Sequence, residues 1–152
     1  MVDEIDRAVV NALLEDGRAS ARDVATETGV AATTVSRRMD ELESAGVIEK
    51  YTARVDYGAL GYDVTAVFQL SVDGDGLVEV TESMGDQHNL LAVYEVTGSH
   101  DIVAVGKFQD TDEMNAYIKR LVTDEHVRSV STSIVLNAVR EHEQFPVDED
   151  DQ

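Results

Sequence analysis

Apolar positions recur every three to four residues in the first third of this chain and mostly every second residue in stretches of the remainder. Ile5, Ala8, Val9, Ala12 and Leu13 fall at i, i+3, i+4, i+7 and i+8, one face of a helix. Asp3 precedes it as a cap with Asp6 at capping-box spacing, and Gly17 ends it. Ser20 and Asp23 open a second, short helix with Ala21, Val24 and Ala25 inward, and Gly29 supplies its left-handed stop. The pattern predicts a third helix over Ala32–Ser44, with Val35, Met39 and Leu42 as its buried stripe and Gly46 as its end.

Alternation takes over after an extended linker strand at Tyr51 to Val55, which Gly58 and Gly61 separate from the next strand. That strand is half-buried, with Val64, Ala66, Phe68, Leu70 and Val72 on one face, and leads into a helix from Asp75, its cap, to Gly85. Leu90 to Thr97 and Asp101 to Gln109 predict a strand pair around a tight turn at Gly98. Asp110 and Glu113 cap a helix carrying Met114, Tyr117, Ile118 and Leu121, and Val127 to Arg140 predicts the last strand. The fold class is therefore α+β. An N-terminal three-helix helix-turn-helix domain over residues 1–50 is followed by a linker at 51–61 and a C-terminal βαββαβ ferredoxin-like domain over 62–140. Residues 141–152 carry six acids and no base, the composition of a frayed, solvated end.

Two short helices joined by a glycine turn point to DNA, and the third helix has suitable outer chemistry. Thr33, Thr34, Ser36, Arg37 and Arg38 are expected to face away from its apolar stripe, where hydroxyls and guanidinium groups can meet phosphates and guanine edges. Arg18, Arg22 and Lys50 are the further candidates for phosphate contact. The plainer alternative is a solvated helix face in a three-helix bundle.

Charge complicates this picture. The chain has 152 residues with 31 acids against 12 Lys plus Arg, a formal net charge of −19. A polyanion normally requires the opposite field. Yet seven of the twelve bases lie before Gly58, beside the helix-turn-helix. Acid-rich, lysine-poor composition of this kind resembles proteins of cells that accumulate molar potassium chloride, and a halophilic origin is the expectation; an acidic protein with a cationic ligand is the alternative. Without cysteine there can be no disulfide, thiolate zinc site or cysteine nucleophile. Asp73-Gly74-Asp75-Gly76 begins like a calcium loop but lacks the closing glutamate. The four histidines lack metal-ligand spacing, and no nucleophile stands with a base. Neither catalysis nor a metal or cofactor is expected. With no signal-peptide pattern and no membrane-length apolar run, the expected location is cytoplasmic.

Ile5-Asp6, Leu13-Leu14 and Asp16-Gly17-Arg18-Ala19-Ser20 resemble the opening of the Lrp/AsnC family of feast-or-famine regulators. So do Val35-Ser36-Arg37-Arg38-Met39, Leu42 to Ile48, Tyr51-Thr52-Ala53 and Gly61-Tyr62. One departure is Ala31, where the family usually carries a serine able to cap the recognition helix. The resemblance implies a sequence-specific transcriptional regulator of promoter regions. It would act on double-stranded DNA as a homodimer or higher oligomer and sense an amino acid or similar small molecule between subunits. By the same resemblance Gly98, Ser99, His100, Asp101, Thr132 and Ser133 are candidates for the effector, with the Gly98 backbone for a carboxylate and Asp101 for an ammonium. Ser99 and His100 stand where the family more often shows an acidic residue and a tyrosine. The plainer reading is a hairpin turn in which Asp101 bonds to its own loop. Two rivals share much of this reading: an architectural DNA-compacting protein of the same fold with little specificity, and a small ligand-binding module that does not bind DNA.

Overall fold

Asp3 and Ser20 start the first two helices as the capping residues require. The Asp3 carboxylate accepts the Asp6 N–H (2.9 Å) while Asp6 accepts the Asp3 N–H (3.0 Å), opening α1 at Glu4–Glu15. Ser20 and Asp23 repeat the exchange for α2, Ala21–Thr28, which stops at Gly29 with φ +75°. Helix α3, Ala32–Ser44, begins at Ala31 without a side-chain cap. In this computed structural model, which describes residues 1–148, these helices form one compact unit, Met1–Arg54 with the chain from Arg140. Its core is Val9, Val24 and Val35, fully buried, with Ala12, Leu13 and Leu42.

The second unit, Val55–Val139, is a four-stranded antiparallel sheet with two helices on one face. Strand β1 (Val64–Val72) is followed by α4 (Leu77–Gly85), β2 (Leu90–Glu95), β3 (Ile102–Phe108), α5 (Thr111–Val122) and β4 (Val127–Ile134). The sheet order is β2-β3-β1-β4, the βαββαβ arrangement expected. Alternation sends Ala66, Phe68, Leu70, Ile102, Ala104 and Phe108 toward Val80, Met84, Met114, Tyr117 and Leu121 of the helices. The rings of Phe68, Phe108 and Tyr117 meet at centroid distances of 5.6–6.1 Å. Burial pushes the Tyr117 phenol up to about 12.

Several boundaries differ from expectation. Tyr51 to Val55 joins no sheet, because the described chain offers it no neighbouring strand. Helix α4 starts at Leu77 after a single 3-10 turn at Gly74–Gly76, and Asp75 does not cap it. The imidazole of His126 lies against Gly76, where a Cβ would sit 2.1 Å from its ring. Strand β4 ends at Ile134 rather than Arg140: Ile134 pairs with Ala66 near the start of β1, and beyond the Val135–Thr65 bond no partner remains. Leu136 and Val139 are consequently exposed. The segment from Glu141 to Asp148, expected to be a frayed end, is bonded to the first unit; the rest of the acidic tail lies outside the described residues.

Candidate nucleic-acid interface and effector turn

Helix α3 sorts its side chains by the same periodicity that buries Val35 and Leu42. Thr33, Ser36 and Arg37 are exposed on its outer side, and Thr34 is half-buried. The Arg37 guanidinium rests on Glu41 at 2.8 Å, an exposed i,i+4 pair that a phosphate or base edge can displace. Arg18 lies in the turn before α2, Arg22 in its first turn and Lys50 beyond α3, and all are exposed.

Arg38 departs from the outward orientation expected of it. Its guanidinium turns in to the capping carboxylates of α1, at 2.6 Å from Asp3 and 3.2 Å from Asp6. Only 18% of the Arg38 side chain and 7% of the Asp6 side chain are exposed. The Asp6 N–H, with Arg38 next, holds the Asp3 carboxyl below its ordinary value. The physical reason is local. The capping box concentrates two carboxylates at one helix end, and Arg38 is the cation of α3 that reaches them. Tyr51 ties the following segment to α3: its phenol is pushed up to about 12, by burial first and then by its bond to the Glu43 carboxylate.

In the second unit Gly98 adopts φ +108° at the turn between β2 and β3, a backbone that favours glycine. Ser99 is exposed, and its Oγ lies 3.4 Å from the His100 Nδ1. The Asp101 carboxylate accepts the Val72 N–H at 2.8 Å, its N–H donates to Leu70 and its carbonyl accepts from Val96. Asp101 therefore fastens the turn to β1, where the β1/β4 register shifts at Ser71/Val72. Thr132 and Ser133 are on β4, separated from β3 by β1, about 10 Å across the sheet. They pair with Phe68 and Val67 respectively and so point to opposite faces. One protomer does not bring them to the Gly98 turn.

Sequence reasoning missed a cavity of about 210 Å³ lined by Tyr57, Tyr62, His88, Asn89, Leu91 and Lys107. Its tyrosines meet edge to face at 5.8 Å because a 3-10 turn at Gly58–Leu60, closed by Gly61 at φ +92°, returns the Tyr62 N–H to the Tyr57 carbonyl. The close pair of glycines between two tyrosines was the available signal. Among the described residues, no cluster of three or more His, Asp or Glu could hold a metal ion, and no helix is long and apolar enough to cross a membrane.

Residues 2–49 match the model of a winged helix-turn-helix DNA-binding domain, and residues 65–145 match the Lrp/AsnC ligand binding domain. An HTH-type transcriptional regulator of Pyrococcus abyssi is 33% identical over 141 residues, covering 93% of this chain and 96% of its own length. A transcriptional regulator of Neisseria meningitidis, solved in complex with L-Met, superposes with a TM-score of 0.87 at 20% identity, covering 93% of this chain and 94% of that one. Escherichia coli AsnC gives 0.85 at 22% identity, covering 93% and 96%.

Proposed function

Because this chain belongs to the Lrp/AsnC family of transcriptional regulators, we propose that it reads promoter DNA with the outer face of α3. The family members are regulators and not enzymes. The observation that carries the reading is that Thr33, Ser36 and Arg37 stand exposed opposite Val35 and Leu42. In it Arg37 meets a base edge, Arg18, Arg22 and Lys50 meet phosphates, and Arg38 positions α3 against α1. Thr34 is half-buried and contributes at the rim. Arg37→Ala is expected to cost about 1–3 kcal/mol of affinity at one base pair of the site. A loss equal for every sequence reduces Arg37 to a phosphate contact, and no loss removes α3 from the interface.

Dimerisation through the open face of the sheet completes the reading. That face presents Val67, Val103 and Val105 among Thr65, Gln69 and Ser131, all uncovered by helix. Val93 pairs with Ala104 on the covered face and packs against the core, so it takes no part in that open face. Two α3 helices of a symmetric dimer would then address successive major grooves. The effector, an amino acid by analogy with the L-Met complex above, would bind between subunits at the Gly98–Asp101 turn, with Ser133 or Thr132 supplied by another protomer. In this reading the protein shares the compartment of DNA, the cytoplasm.

The net charge of −19 supports operation in molar salt, although similar regulators of Pyrococcus abyssi, Pyrococcus horikoshii and Pyrococcus furiosus lend that origin nothing. At 1 M salt the Debye length falls to about 3 Å, so long-range repulsion from DNA disappears while contact hydrogen bonds survive. DNA affinity and helix content are expected to rise together from dilute buffer toward molar potassium chloride. Tightest binding in dilute buffer by a fully folded protein contradicts this.

A further inference from the structure

Pro146 is the single proline of the chain; its ring fixes its own φ and disfavours a helical backbone at Phe145 before it. Both functional ends of the Asn11 amide engage the next residue, Val147: Nδ2 donates to the Val147 carbonyl at 3.0 Å, and Oδ1 accepts the Val147 N–H at 2.8 Å. One turn earlier on the same side of α1, Arg7 donates to the Asp148 carbonyl at 3.3 Å. At the other end of the segment, Arg54 donates to the Glu141 carbonyl at 2.7 Å and pairs with the Glu143 carboxylate at 2.8 Å. The C-terminal segment thus lies on the helix-turn-helix unit, and it engages two of that unit's few guanidinium groups.

We infer that this segment is a built-in competitor of DNA: docked on α1 it occupies Arg7 and Arg54, and undocking releases both to the phosphate backbone. The inference rests on the DNA-binding reading above. A guanidinium that holds a carboxylate or carbonyl must exchange that partner before it can hold a phosphate. The Arg54–Glu143 pair is exposed, 60% and 43% by side chain, so salt weakens it, whereas the Asn11 clamp carries no charge. Asn11 is therefore the latch, and breaking it alters no charge on the protein.

The test uses the full chain with a mixed-sequence 30-base-pair duplex as the probe of phosphate affinity, titrated across potassium chloride. Hydrogen exchange at the Val147 amide reports docking. Asn11→Ala is expected to speed that exchange at least tenfold and to raise affinity about three- to tenfold at the lowest salt that keeps the protein folded. It should shift the slope of log K against log salt by up to about −1.8, the value for two added phosphate contacts. Glu143→Gln, which leaves the latch intact, should shift the slope in the same direction by about half as much. Fast Val147 exchange with an unchanged slope makes the segment a structural strap only and overturns the competitor. Unchanged exchange in Asn11→Ala overturns the latch. Failure of every form to bind duplex at any salt counts instead against the DNA-binding reading, while one common slope for all forms counts against the competitor alone.

Discussion

Replacing Asp6 by alanine tests whether the junction of α1 and α3 is held as the structure implies. The Asp6 residue is 5% exposed and serves two partners: it accepts the Asp3 N–H at 3.0 Å and the Arg38 guanidinium at 3.2 Å. Loss of one half of a capping box costs about 1 kcal/mol. A buried charge-assisted hydrogen bond contributes about 1.5–3 kcal/mol. Asp6→Ala should therefore destabilise the helical unit by about 2–4 kcal/mol, less whatever Asp3 recovers by taking Arg38 alone. Asp6→Asn, which keeps one acceptor, should lose roughly half of that. Urea unfolding followed by far-UV circular dichroism in molar potassium chloride measures both, and a panel of operator variants measures base preference under the same conditions. Base preference should be unchanged, since neither Asp6 nor Arg38 faces outward. A change below about 0.5 kcal/mol in Asp6→Ala, the ordinary range of an inconsequential surface substitution, would refute the reasoning. So would selective loss of one base pair in an Arg38→Gln variant of wild-type stability.

Ala31→Ser restores a side-chain oxygen at the uncapped start of α3 and should stabilise the unit by about 1 kcal/mol, read as a higher urea midpoint. An unchanged midpoint would mean that α3 gains nothing from that cap. Asp3 and Asp23 have carboxyls held below the ordinary value by capping N–H groups, so each adds stability above that value, and the contribution fades as pH falls through the lowered one. Glu27 is raised, first by its hydrogen bond to Glu15, so its contribution is complete at acid pH and is lost as pH rises through the raised value. Glu27→Gln should consequently raise the melting temperature at pH 7 and leave it unchanged below about pH 4. An equal shift at both pH values would contradict the coupling.

Local chemistry carried the helix-turn-helix. The capping boxes at Asp3/Asp6 and Ser20/Asp23, the left-handed Gly29 and the span Ala32–Ser44 depend on residues within one or two turns, and all are as the pattern predicts. Strand β1 and the sidedness of β3 were legible for the same reason, because alternation is a local record of one buried face. Properties that depend on a partner far along the chain were not. Strand β4 stops where β1 begins, so its end is set by residue 64 rather than by anything near residue 134. Val93 lies on the covered face because its register against Ala104, set by a strand nine residues on, assigns the side. Asp101 reads in sequence as an effector ligand or as a carboxylate bonded to its own loop, and it accepts instead from Val72, 29 positions away.

The functional residues divide along the same line. Periodicity alone determined that Thr33, Ser36 and Arg37 share the exposed side of α3. It could not separate Arg37 from Arg38, since adjacent positions on a helix differ by about 100° and a long side chain can swing either way. The pair of carboxylates at the start of α1 decided it, drawing Arg38 inward from 32 and 35 residues away. The acidic tail makes the same point. Its composition points to a charged, solvated end, whereas the place of its described part, residues 141–148, depends on Arg7, Asn11 and Arg54, which only folding brings opposite it.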